Sequence, residues 1–289
     1  CTNLALSKHL SLSPGSGIIY MCILGEIGGI MTGKSRPKCR PWRVWFVFCA
    51  LLAVTAGVAR ADSDMALITA AEIGLADEVQ RLLETGAAPN ARDASGWTPL
   101  MQAAMNGHDA VVRLLLENGA DVDIEGDAGW QALMLAAQFG HRDIVRMLLQ
   151  RDANVNAASR NGSTALMFAA GNGHYEVVLD LLASDADVHR VDYLGRSALM
   201  FAAIDGHPRI ARELIARGAD VNLQDDEGQT ALLLAAKGGR DGIAEALLVL
   251  CPDLDVVDRT GKTALQWAQR KGHGRIAQML RAAIPCDRN

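Results

Sequence analysis

Apolar residues recur along the chain in sets of four. Val111, Val112, Leu115 and Leu116 form one set, which Ile144, Val145, Leu148 and Leu149 repeat, and the spacing puts all four on one side of an α-helix. Upstream of each set stands a block built on paired alanines: Ala103-Ala104, Ala136-Ala137, Ala169-Ala170, Ala202-Ala203 and Ala235-Ala236. Such small side chains predict a second kind of helix that approaches its neighbours closely. Between the blocks stand Gly107, Gly140, Gly173, Gly206, Gly239 and Gly272, where the first helix must end in the left-handed conformation that suits glycine. Thr or Ser opens that helix in most segments, placed to accept an otherwise unpaired N–H. Pro208 falls just inside its second helix, where proline is tolerated.

A further glycine measures the period. Gly96, Gly129, Gly162, Gly195, Gly228 and Gly261 each stand 33 residues apart. A period of about 20 to 50 residues marks a stacked array, in which each unit buries its apolar face on its neighbours. The 289 residues are too many for one compact core of ordinary size, yet an array lengthens by adding units and needs no second domain. Residues 62–95 lack the hairpin glycine but keep Leu67, Ala70-Ala71, Gly74 and Leu82-Leu83, which predicts an N-terminal cap repeat. Residues 96–259 hold the full repeats, and 260–289 a C-terminal cap and tail in which Gln269 and Arg281 replace apolar residues on an outer face. The expected fold is an all-α solenoid of seven helix-turn-helix repeats with short hairpin loops.

One motif sharpens this. Thr98-Pro99-Leu100-Met101 is echoed by Thr164-Ala165-Leu166-Met167, Ser197-Ala198-Leu199-Met200, Thr230-Ala231-Leu232-Leu233 and Thr263-Ala264-Leu265-Gln266, with Gln131-Ala132-Leu133-Met134 as a variant. The chain thereby resembles the ankyrin-repeat family, whose unit is a hairpin turn and two antiparallel helices. The family's histidine at the fourth motif position is absent. Met at successive equivalents implies an apolar filling of that space.

The first sixty residues change the picture of where such an array works. From Met31, the basic residues Lys34, Arg36, Lys38, Arg40 and Arg43 precede an uncharged apolar run from Val44 to Val58, and Ala59-Arg60-Ala61 follows. This is the pattern of a secretory signal, with residues 31–61 removed after Ala61 and a mature start at Asp62. The rival, an uncleaved anchor that would tie the scaffold to a membrane, needs about 20 apolar residues, and this run has 15. Residues 1–30 fit no targeting scheme and read as a misassigned upstream extension. Together with the array, the signal resembles an exported bacterial ankyrin type, periplasmic or secreted. Some such proteins support a periplasmic stress-defence enzyme, which stands as an alternative accessory role.

Seven of the 28 basic residues but only one of the 33 acidic residues lie within 1–61, so residues 62–289 carry a net charge of −11. That field repels phosphate backbones and argues against nucleic-acid binding. Cys251 and Cys286 are the two cysteines left beyond Ala61, and in an oxidising compartment they could pair.

His108, His141, His174, His207 and His273 recur at the repeat period. Packed helices lie about 8 to 10 Å apart while zinc ligands stand about 2 Å from the ion, so successive imidazoles cannot share a metal, and the column reads as backbone satisfaction at the interhelix turn. No phosphate-binding loop, nucleophile elbow or Cys–His pair is present, and no cofactor or catalytic residue is expected. Asp93, Asp192, Asp225 and Asp258 fall where hairpin turns need an Asx side chain.

Function is therefore sought where the fold leaves the residue free. The resemblance implies that a partner protein is bound on a concave surface of hairpin tips and first helices. Those positions hold Arg92, Trp97, Met105 and Asn106, then Trp130, Gln138 and Phe139, then Tyr193, Leu194, Arg196 and Ile204. Aromatics and arginine are the usual anchors of such surfaces. The competing reading of Trp97 and Trp130 is that each ring folds over the adjacent hairpin and stiffens the stack. Phe168, Phe201 and Trp267 read as core, and the basic quartet Arg259, Lys262, Arg270 and Lys271 as solvated charge facing an acidic tip at Asp225, Asp226 and Glu227. The expected product is a non-enzymatic, monomeric scaffold.

Overall fold

A computed structural model describes residues 61–283. The signal-like segment 31–61, all but its last residue, and the extension 1–30 lie outside the described residues. Residues 61–73 are helical and form α1. There follow α2 (Ala76–Glu84), α3 (Pro99–Asn106), α4 (Asp109–Glu117), α5 (Ala132–Phe139), α6 (Arg142–Leu149), α7 (Ala165–Gly171), α8 (Tyr175–Ala183), α9 (Ala198–Asp205), α10 (Pro208–Ala216), α11 (Ala231–Gly238), α12 (Asp241–Leu248), α13 (Ala264–Lys271) and α14 (Gly274–Ala282). These pair into seven antiparallel units. Among the described residues the extended structure is limited to isolated bridges, Ala158 with Thr164 and Val191 with Ser197.

Most first helices are bounded by a side-chain cap at the start and a left-handed glycine at the end. Thr98, Thr164, Ser197, Thr230 and Thr263 accept the N–H three residues on, at 3.2 to 3.4 Å. Gln131 is the exception: its amide instead donates to the Asp123 carbonyl at 2.9 Å, so α5 starts without a side-chain cap. Thr263 completes a capping box with Gln266, the residue at the family's histidine position. The equivalent Met101, Met134, Met167, Met200 and Leu233 are buried, as the apolar-filling reading requires.

The paired alanines are buried from Ala103 through Ala236 and line the seam along which α3, α5, α7, α9, α11 and α13 stack in turn. The second helices, α2 to α14, stack in a parallel row through less extensive contacts. Between them Val111, Val112, Leu115 and Leu116 and their equivalents fill the layer. At the fourth position Leu83, Leu149, Ile215 and Leu248 are only partly buried. Arg142 and Arg146 on α6 both donate to Asp180 on α8, at 2.6 and 2.9 Å through Nε, which ties two second helices together. Burial would raise the Asp180 carboxyl, but these bonds outweigh it and hold the group below its ordinary value.

The histidine column satisfies the backbone one repeat back. His108, His141, His174, His207 and His273 reach the carbonyls of Glu72, Met105, Gln138, Gly171 and Lys237 through Nε2, at 2.9 to 3.3 Å. In the sixth unit, where the column has no histidine, Arg240 takes over and donates twice to the Ile204 carbonyl, at 3.1 and 2.9 Å.

Candidate partner-binding face

Hairpin tips and first helices make one continuous face, and the tips are built from aspartate. The Oδ1 atoms of Asp93, Asp192, Asp225 and Asp258 each accept backbone N–H groups two and four residues on, at 2.7 to 3.2 Å. Ser159 stands in for aspartate in the third full hairpin start, where its hydroxyl bonds Asn161 and the Ser163 carbonyl. Gly126 has no side chain to offer at the equivalent place. That tip folds instead as a 3₁₀ turn, Asp127–Gly129, with Ala128 at φ 58°.

Tips also bond to one another. The N–H groups of Asp127, Arg160, Tyr193, Asp226 and Arg259 donate to the carbonyls of Ser95, Ala128, Asn161, Leu194 and Glu227, at 2.8 to 3.0 Å. This ladder runs across every junction between full repeats and holds the side chains of the tips in a regular row.

On that face the expected residues fall into four groups. Phe139, Tyr193 and Leu194 are exposed at 49%, 74% and 53%. These are large apolar surfaces that the array leaves uncovered. Trp97 and Trp130 are partly buried. A Cβ added at Gly126, in the next hairpin, would meet the Trp97 indole at 3.1 Å, and Trp130 stacks on Phe168 of the next repeat with centroids 4.6 Å apart. Both rings therefore brace the stack with one edge and leave the other on the face. Met105, Gln138 and Ile204 are partly buried, and their carbonyls receive the His141, His174 and Arg240 bonds.

The polar members are engaged locally. Arg92 is exposed and bonds the Glu125 carbonyl, and Asn106 donates to Gln102 one turn back at 2.9 Å. Arg196 pairs with buried Asp192 at 2.7 Å and lies 4.7 Å over the Phe201 ring.

Three residues expected in the core belong partly to this face. Phe168, Phe201 and Trp267 pack against the core but are only partly buried. The first helix contributes two faces, one to the seam and one outward, and the column six residues beyond the hairpin glycine lies at their boundary. Trp267 donates its indole N–H to Asp258 Oδ2 at 2.7 Å. Its ring has Lys237 at 4.9 Å, Lys262 at 5.4 Å and Arg270 at 5.6 Å from the centroid. Sequence position gave Lys262 and Arg270 as neighbours; the share of Lys237 and the ring at their centre were missed because Trp267 was counted as core. The expected opposition of this basic group to Asp225, Asp226 and Glu227 yields no ion pair among the described residues.

Burial alone would raise the Asp258 carboxyl. Hydrogen bonds from the Thr260 hydroxyl, the Lys262 N–H, the Trp267 indole and the Thr260 N–H outweigh it and hold the group at about 2. Cys251, at φ 52°, occupies the left-handed position filled in other units by Gly86, Gly119, Asp152, Asp185 and Gly218. It is disulfide-bonded. Cys286, its expected partner, lies outside the described residues.

A face of shared tips and half-exposed first helices, backed by a stacked core, defines a repeat scaffold. The ankyrin-repeat family matches in three copies, at residues 47–126, 122–192 and 199–289, and the chain belongs to that family. Ankyrin repeats imply protein–protein interaction, and their proteins are generally scaffolds rather than enzymes. A 68-residue stretch, 24% of the chain, is 43% identical to a mitochondrial disaggregase of Bos taurus. The match spans 10% of the bovine protein's length.

Proposed function

We propose that this chain is an exported, non-enzymatic scaffold that binds a partner protein on its tip and first-helix face. The observation that carries the reading is the exposure of Phe139, Tyr193 and Leu194 at positions where the repeat requires no large apolar residue. Around them Arg92, Trp97, Met105, Asn106, Trp130, Gln138, Arg196 and Ile204 complete the binding surface. Export rests on the basic and apolar signal pattern within 31–61. A disulfide at Cys251, taken to pair with Cys286, suits an oxidising compartment.

Exposure selects the variants for the test. Truncating Trp97 or Trp130 would also disturb the stack, whereas Phe139→Ser, Tyr193→Ser and Leu194→Ser change mainly exposed side chains, with loss of the Phe139 contact to the His141 ring. Affinity capture from the exported fraction recovers a discrete partner with the parent and loses it with the triple variant; equal capture by both rejects this face. N-terminal sequencing of the exported protein gives Asp62 as the first residue, and a retained 31–61 segment converts the reading to a membrane-anchored scaffold. Mass spectrometry after alkylation, with and without reductant, detects the Cys251–Cys286 pair, and two alkylated thiols in the unreduced protein rule it out.

A further inference from the structure

The last two units differ from the rest of the face in charge. Lys237 lies on α11, Lys262 in the final tip and Arg270 on α13, and all three converge on the Trp267 ring. Arg259 and Lys271 are exposed beside them in sequence. Among the described residues none of these five is within ion-pair distance of a carboxylate. Lys237 donates to Gln229 Oε1 at 2.9 Å and Lys262 to Thr260 Oγ1 at 3.1 Å, which orients the ammonium groups without cancelling their charge. The nearest acid, Asp258, is buried and spends its oxygens on the Thr260 and Lys262 N–H groups, the Thr260 hydroxyl and the Trp267 indole. The indole is thus held from below by the Asp258 carboxylate, and the cations around its rim make no direct ion pair among the described residues.

The cations repel one another locally, a cost that bound carboxylates would relieve, and the cluster stands out on an array whose residues 62–289 carry a net charge of −11. We infer that the face around Trp267 is a receptor for a carboxylate-rich segment of the partner protein, bound through Lys237, Lys262 and Arg270. Carboxylates complement this geometry in two ways. Each can accept from an ammonium or, in a bidentate manner, from the Arg270 guanidinium, and the aliphatic stems beside them can rest on the indole. A nucleic-acid strand fits less well, because its evenly charged backbone must continue past the exposed acids Asp226 and Glu227 on the neighbouring tip, whereas a short run of carboxylates can end within the basic patch. The inference rests on the scaffold reading and adds to it the chemistry of the partner.

The test uses the exported array and a fluorescein-labelled Asp/Glu-rich peptide, followed by anisotropy at low and at physiological salt. A Lys-rich peptide and an oligothymidylate of matched length are the comparison probes. The acidic peptide binds, more weakly as salt rises, and the Lys-rich peptide does not. Lys262→Gln with Arg270→Gln weakens binding roughly tenfold. Arg113→Gln with Arg212→Gln, which removes the same charge from exposed sites on the second helices, changes it by less than about twofold. No binding of the acidic peptide, equal loss in both double variants, or an oligothymidylate affinity matching the peptide's overturns the inference. Thermal melts establish that each variant is folded. A partner still captured in full by Lys262→Gln with Arg270→Gln, but lost with the Phe139, Tyr193 and Leu194 variant, removes the acidic receptor and leaves the scaffold standing. Full capture by both variants removes the scaffold's assigned face as well.

Discussion

Gly140 shows how one position can serve two constraints. Its φ of 77° favours glycine, and a Cβ there would fall 2.4 Å from the His174 ring, which is reaching across to the Gln138 carbonyl. Gly272 shares the conformation, at φ 79°, but nothing lies within 4 Å of its Cβ site. Alanine at Gly272 therefore costs only the backbone term, roughly 1 to 2 kcal/mol. Alanine at Gly140 costs that and a displaced imidazole, roughly 2 to 4 kcal/mol in all. Urea midpoints of the two variants separate the contributions. Asp258 supplies a second prediction at this scale. Its carboxyl is lowered from 3.8 to about 2 on folding, so its stabilisation is complete above the unfolded value and is lost as pH falls through the folded one. Between pH 4 and 2 the parent's urea midpoint should fall more steeply than that of Asp258→Asn, and parallel curves would show that the carboxylate contributes nothing. The aspartates of the tips were legible in the sequence because their spacing to the hairpin glycine is constant. Arg240 was not, since a column defined by histidine conceals a different side chain that reaches the same carbonyl.

The helices are shorter than isolated helices that persist in water, so their termini carry much of the specification. Thr164→Ala removes the cap of α7 and is expected to cost about 1 kcal/mol. The same substitution at Gln131 removes no cap from α5, and what it loses is the bond to Asp123. Circular dichroism melts of the two variants, compared with the parent, read the difference: Thr164→Ala lowers Tm, and an unchanged Tm would show that packing alone defines the start of α7. The alternation of alanine pairs and apolar quartets identified every helix pair of the array. What it could not resolve was the outward side of the first helix. Phe168, Phe201 and Trp267 keep an apolar period while sitting at the edge of the seam, and a pattern of apolar residues does not distinguish an edge from a centre. The partial burial of Trp97 and Trp130 depends in the same way on neighbours a full repeat ahead.

At the scale of the array, coupling between units is carried by the alanine seam, the row of second helices, the histidine-to-carbonyl bonds and the ladder between tips. Each joins only adjacent units, which is why the stack could be inferred from its period without knowledge of any long-range contact. The ladder itself had no sequence signal, because it is made by backbone atoms of residues as different as Asp127, Tyr193 and Arg259. Deleting residues 162–194 joins Asn161 to Gly195 and brings the Asp226 N–H to the carbonyl that Tyr193 used. That shortened array is expected to unfold in a single transition at a lower Tm. Deleting Asn161 alone removes one rung and weakens the coupling between the units on either side, which is expected to split unfolding into two steps. Single transitions for both would show that the seam suffices. The ladder consequently gives the protein a reading frame for length. Gain or loss of whole repeats keeps the frame, and any other change within a tip acts on the fold as a frameshift acts on a message.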